Sequence, residues 1–138
     1  MSTDATILVV DDEAIVVCML AMRLRDHGYR VLEARNGREA LDAMKRTAPT
    51  LIITDFQMPI MSGLELAQTL LADPASRTIP VIMLTARSHK LNVAELKLTN
   101  VRQVLPKPFS AKEILSLVDE LLTHEEMNDS LVEKDEAA

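Results

Sequence analysis

The stretch Leu51-Ile-Ile-Thr-Asp-Phe-Gln-Met-Pro-Ile-Met-Ser-Gly63 decides how the rest of this chain is arranged. Its apolar run, Leu51 to Ile53, leads abruptly into the carboxylate of Asp55. Met58-Pro59 is a turn signal. Ser62-Gly-Leu-Glu65 is a capping-box pattern, in which a Ser side chain bonds the backbone N–H three residues on. The pattern predicts a buried strand, an acidic tip, a loop and a helix that ends near Asp73-Pro74. In open α/β sheets, ligands bind beyond the carboxyl ends of the strands, and Asp55 stands at such an end.

The same unit recurs on both sides. Ile7-Leu-Val-Val10 is a short apolar run closed by Asp11-Asp12-Glu13, and Glu13 to His27 then reads as a helix with Gly28 as its C-terminal stop. Tyr29 to Ala34 mixes apolar and charged residues, as an edge strand does. Asn36 caps a helix over about Gly37 to Arg46, with Leu41 and Met44 turned inward. Val81-Ile-Met-Leu84 is another buried run, ending at Thr85. A weaker helix is expected over Ser88 to Leu98. Val101 to Leu105 is a half-polar strand, and Pro106-Lys-Pro-Phe109 is a stiff loop. Ser110-Ala-Lys-Glu113 is a second capping box, opening a helix that runs to about Leu122.

Five alternating strand–helix units at these lengths imply a parallel sheet with right-handed crossovers. Runs one, three and four are wholly apolar, so both of their faces should be covered. Strands two and five are mixed and belong at the edges. The expected fold is therefore α/β, a (βα)5 doubly wound five-stranded parallel sheet in the flavodoxin-like order 2-1-3-4-5, whose switch point lies between strands one and three. The domain is expected over residues 1–123, with an acidic tail over 124–138.

Composition narrows the function. Between His124 and Ala138, six acids against one lysine carry -5 of the net charge of -6, leaving the remainder nearly neutral. An acidic chain with no basic stripe, whose aromatic residues are Tyr29, Phe56 and Phe109, is a poor nucleic-acid partner. Cys18 is the single cysteine, so neither an internal disulfide nor a zinc cluster is available. The N-terminus lacks the charge of a signal peptide, and the longest apolar run, Ala14 to Met22, is too short to span a bilayer. A cytoplasmic location is the expectation.

With this sheet order, Asp11, Asp12 and Asp55 converge. Two carboxylates about 4 Å apart repel by roughly 4 kcal/mol at an effective dielectric near 20, and the simplest remedy is a divalent cation. Hard oxygen donors without a neighbouring His or Cys favour Mg²⁺, with Mn²⁺ as a substitute. A single acid at a strand end commonly does no more than cap a helix, but three at adjacent ends ask for more. Thr85 ends strand four and Lys107 follows strand five, so a hydroxyl and an ammonium face the acids. A metal, a lysine and a hydroxyl around one carboxylate make a cradle for a phosphoryl group.

Ile7-Leu-Val-Val-Asp-Asp-Glu13, Thr54-Asp-Phe-Gln-Met-Pro59, Leu84-Thr-Ala86 and Lys107-Pro-Phe109 together resemble the receiver domain of two-component response regulators, over about Thr6 to Leu122. The resemblance implies that Asp55 takes a phosphoryl group from a phosphohistidine. It implies that Asp12, Asp55 and the Gln57 backbone carbonyl bind Mg²⁺, with Asp11 acting through water. Lys107 would pair with a phosphoryl oxygen, Thr85 would donate its hydroxyl, and the Ala86 backbone N–H would assist. Gln57 and Arg87 flank the site where such residues tune phosphoryl lifetime. The Lys107-Pro108 bond is implied to be cis. Many receivers carry Tyr or Phe three residues before this lysine; here the residue is Val104, which has no ring to swing.

The implied partner is a histidine kinase or histidine phosphotransfer protein, met through helix one, with the output carried by a downstream protein. Helix one carries two apolar stripes. Val16, Leu20 and Leu24 should face the sheet, with Met19 at their border, while Ile15, Cys18 and Met22 should form an outer stripe free to dock. Two alternatives accompany a stand-alone module: a receiver belonging to a larger regulator or hybrid kinase, and a Mg²⁺-dependent aspartyl-phosphate hydrolase. The hydrolase chemistry often uses a second aspartate two residues after the nucleophile, and Gln57 cannot take that part.

Overall fold

The computed structural model describes residues 5–86, 94, 96 and 98–123. Among these, β1 (Thr6–Val10), α1 (Ala14–Asp26), β2 (Arg30–Ala34), α2 (Gly37–Arg46), β3 (Leu51–Asp55), α3 (Gly63–Ala72), β4 (Val81–Ala86) and β5 (Val101–Lys107) follow in order. A last helix covers residues 111–123. The strands form one parallel sheet in the order β2-β1-β3-β4-β5, as expected. Most of the Ser88–Leu98 helix and the acidic tail over 124–138 lie outside the described residues.

Alternation along the central strands explains the double winding. Ile7 and Val9 pack on one face with Leu20 and Leu24 of α1 and with Ile114 and Val118 of the 111–123 helix. Leu8 and Val10 pack on the other, with Ala40 and Ala43 of α2 and Leu66 and Leu70 of α3. A side-chain period of two sends neighbours to opposite faces, so a strand apolar throughout needs helices on both sides. β1 and β3 are buried along their whole length. β2 and β5 show the mixed burial of edge strands.

Local signals act where they stand. Asn36 accepts from the Glu39 N–H at 2.9 Å. Ser62 and Glu65 form both halves of a capping box, as do Ser110 and Glu113. Gly28 follows the end of α1 at φ 101°, a backbone that side chains resist. Two expectations need correction. β5 runs on through Pro106 to Lys107; an edge strand tolerates the missing N–H of a proline. In α1 the buried stripe is Val17, Leu20, Ala21 and Leu24, while Val16 and Met19 are half-buried at its border. The spacing of three, four and seven keeps the stripe in place but centres it one residue later than expected. No described helix is long and apolar enough to cross a membrane.

Gly63 fixes how closely α3 meets the tip of β3. Its N–H donates to the Phe56 carbonyl at 2.8 Å, and a Cβ there would lie 2.3 Å from the carbonyl oxygen of Asp55. The obstacle is backbone, which cannot turn aside. Gly63→Ala should therefore cost about 1–3 kcal/mol in urea denaturation; an unchanged midpoint would show that the loop yields freely.

Candidate functional site

Register gathers the site. Val10 pairs with Thr54, so Asp11 and Asp55 leave adjacent strands side by side. Asp55 pairs with Leu84, which places Thr85 one residue beyond it, and Ala86 pairs with Lys107. All of these residues therefore gather at the carboxyl edge of the sheet. Ligand oxygens of Asp11, Asp12 and Asp55 lie within 4.8 Å of one another. Asp11 and Asp55 are buried while Asp12 is exposed.

Lys107 reaches into this cluster. Its Nζ lies 3.0 Å from Asp11 Oδ2, 3.3 Å from Asp55 Oδ1 and 2.9 Å from Glu13 Oε1. The Glu13 N–H also donates to Asp11 Oδ1 at 2.9 Å, fixing that carboxylate from its other side. Thr85 is buried and its hydroxyl donates to the Ala86 carbonyl at 3.2 Å. The Lys107-Pro108 bond is cis, as the resemblance implied.

The charges are strained by their burial. Burial raises Asp55 to about 6, the nearby Asp11 charge adds to the rise, and Lys107 opposes it. Burial likewise holds Asp11 above the usual carboxylate range, against the Glu13 N–H and Lys107. For Lys107, burial pulls the ammonium down, but Glu13, Asp11 and Asp55 outweigh it and hold the group above its ordinary value. One ammonium thus faces two buried acids with a third acid at the rim. Three hard oxygen donors this close, two of them ionised at a desolvation cost, suit the donor chemistry of Mg²⁺.

Two cavities flank the acids. One of about 580 Å³ is lined by Asp12, Phe56, Gln57, Met58, Pro59 and Ser62. The other, about 490 Å³, has an apolar wall of Val16, Met19, Pro108 and Phe109, with Glu13, Ala86 and Lys107 at its polar end. Seven of the residues singled out from sequence for the site meet at this edge: Asp11, Asp12, Asp55 and Lys107 in contact range, Thr85 at the adjoining strand end, and Gln57 and Ala86 lining the approaches. Arg87 lies outside the described residues. Sequence reasoning missed Glu13 as a partner of Lys107, and missed Arg35, whose guanidinium donates to the Asp12 carbonyl at 3.0 Å. One signal was legible for Glu13: it is the N-cap of α1, a position that favours Ser, Thr, Asp or Asn.

Without metal, Asp55 should titrate near 6 rather than at the usual value of about 3.9. The folded protein holds this proton more tightly than the unfolded chain does. Its contribution to stability is therefore complete below about pH 4 and lost as pH rises through about 6. In EDTA at pH 7.5, Asp55→Asn should be more stable than the parent protein by about 1–3 kcal/mol, with the gap closing toward pH 4. Equal urea midpoints at both pH values would show that Asp55 ionises without penalty.

Comparison with known proteins agrees with this geometry. The sequence matches the response regulator receiver domain family over residues 7–119. It is 37% identical over 125 residues to the phosphate regulon transcriptional regulatory protein PhoB of Pseudomonas aeruginosa, covering 91% of this chain and 55% of that protein. It is 35% identical to histidine kinase P4 of Formosa agariphila, covering 86% of this chain but only 8% of that protein. The chain thus spans about half, or far less, of the curated relatives it matches. Among solved structures, the receiver domain of a signal transduction histidine kinase from Syntrophus aciditrophicus superposes with a TM-score of 0.79 at 36% identity, over 87% of this chain and 91% of that one. The chemotaxis response regulator CheY4 of Vibrio cholerae superposes with a TM-score of 0.77 at 31% identity, over 84% of this chain and 97% of that one. Fold, strand-end chemistry and these likenesses agree: the chain belongs to the response regulator receiver domain family, the phosphoacceptor domains of two-component signalling.

Proposed function

We propose that Asp55 is the phosphoacceptor and takes its phosphoryl group from the phosphohistidine of a histidine kinase or histidine phosphotransfer protein. The observation that carries this is a desolvated carboxylate at a strand end, 3.3 Å from a lysine ammonium and clustered with two further acids. An Asp55 oxygen attacks phosphorus as the P–N bond breaks. The imidazole departs with the electron pair, and an acyl phosphate remains on Asp55. Lys107 neutralises a phosphoryl oxygen, while the Thr85 hydroxyl and the Ala86 N–H donate to the others. Asp12, Asp55 and the Gln57 carbonyl would hold Mg²⁺ with Asp11 in support, and the bound ion would supply positive charge to the transferring group.

Gln57 stands two residues beyond the acceptor and cannot exchange a proton there, which favours a signalling acceptor over a turnover hydrolase. On this reading the protein catalyses only its own phosphorylation and dephosphorylation. Output runs through protein contact rather than through an aromatic switch, since half-buried Val104 has no ring to rotate. We read residues 1–123 as the receiver unit and 124–138 as an acidic tail, a reading supported by the family match over residues 7–119. The partial coverage of its relatives supports a second reading, in which the same domain is the receiver of a larger regulator or hybrid kinase.

Helix α1 is the surface we assign to the histidine donor. Ile15 is 83% and Met22 53% exposed, and Cys18 between them is also exposed. This stripe is additional to the buried one, and it begins beside the acidic tip. Clustered exposed apolar residues near a reactive group suit a partner helix better than water.

Two experiments test these assignments. Asp55→Asn should abolish labelling by acetyl phosphate or by a phosphohistidine donor, because the amide is not a competent nucleophile; labelling equal to the parent protein would rule Asp55 out. Ile15→Arg should slow transfer from the histidine donor at least several-fold, as an interface hot spot of about 1–2 kcal/mol would, while acetyl phosphate labelling stays unchanged. Equal slowing with both donors would place the defect in the active site and remove α1 as the docking face.

A further inference from the structure

Glu13 holds an unusual post. It is the N-cap residue of α1, yet its side chain makes no capping bond. Its Oε1 instead reaches 2.9 Å to the Lys107 ammonium, closer than either buried acid. The backbone of Glu13 is pinned by the bond from its N–H to Asp11. The side chain itself is 61% exposed and lines the 490 Å³ cavity. Three carboxylates thus share one ammonium, but on unequal terms. Asp11 has no solvent to fall back on. Glu13 can return to water at little cost, since an exposed ion pair is weak.

We propose that Glu13 is a positioning residue for Lys107: a releasable anchor that keeps part of the ammonium's bonding away from Asp55 until a phosphoryl group arrives. The proposal rests on the assignment of Asp55 as the acceptor. Before transfer, the Glu13 bond draws the lysine toward the mouth of the apolar cavity. A phosphoryl group on Asp55 brings further anionic oxygens within the lysine's reach, and the exposed Glu13 contact is the one given up. Breaking that contact opposes engagement of the lysine by the phosphoryl group. Glu13 thereby lowers the affinity of the site for phosphoryl-like ligands without touching them.

Beryllofluoride in the presence of Mg²⁺, which mimics a phosphoryl group on a carboxylate, provides the probe, with affinity measured by calorimetry. Glu13→Gln removes the charge. Glu13→Asp keeps the charge but shortens the reach by one methylene and can turn to cap α1. Both should bind beryllofluoride about two- to fivefold more tightly than the parent protein, the scale of one exposed ion pair. Both should also label faster with acetyl phosphate, with urea midpoints showing an intact fold. If Glu13→Gln tightens binding but Glu13→Asp does not, simple charge repulsion explains the effect and the anchor is overturned. Unchanged or weaker binding in both variants overturns it as well. Failure of the parent protein itself to bind the probe would instead reject Asp55 as acceptor, and the anchor with it.

Discussion

The Lys107 ammonium is the contact on which the functional edge depends. Asp11 and Asp55 are buried side by side, and each is pushed toward its protonated form. An ionised carboxylate is costly to bury without a partner. Lys107 supplies one positive charge to both, at 3.0 and 3.3 Å. That compensation is incomplete, because one cation cannot neutralise two buried acids and the nearby Asp12. The remaining negative potential suits the edge to a divalent cation. The raised Asp55 shows the same imbalance in its proton affinity. A structural ion pair would be expected to balance; this cluster is left short of positive charge.

Backbone constraints set that cluster. Parallel pairing of β1 with β3 and of β3 with β4 brings three strand ends to one level, and β5 delivers Lys107 from the far edge. Gly63 lets the start of α3 approach the carbonyl of Asp55 more closely than any side chain would allow. Opposite, the Asp11–Glu13 turn joins β1 to α1 and fixes the second acid. The side chains of this edge thus sit on strand ends and tight turns tied into the core, where packing holds them in position. Such anchoring suits the phosphoryl transfer proposed for Asp55, which needs its charges in place before the reaction.

Helix α1 serves two surfaces. Val17, Leu20, Ala21 and Leu24 are buried against the sheet, while Ile15, Cys18 and Met22 remain exposed. At its other end, His27 and Tyr29 both bond Asp119 of the 111–123 helix, so the two helices on this face are tied together away from the acids. The outer stripe and the apolar cavity beside Phe109 both adjoin the acidic edge. The histidine donor proposed to dock on α1 would meet apolar contacts first and the proposed acceptor next.

Much of this was legible in the residues because the signals were local or periodic. Continuous apolar runs in β1, β3 and β4 and mixed runs in β2 and β5 determined which strands are central. Abrupt acids at Val10-Asp11 and Thr54-Asp55 marked the edge where chemistry collects. Asn36, Ser62 and Ser110 announced their helices through their own side chains. Tertiary structure decided what depends on distance between segments far apart in the chain. Glu13 and Lys107 stand 94 positions apart, and the sequence between them carries no local trace of their ion pair; the need for glycine at 63 appears only once Asp55 stands against it. The centring of α1 on Val17 rather than Val16 was likewise set by the sheet beneath it. Helical periodicity fixes a stripe's spacing but leaves its rotation to packing.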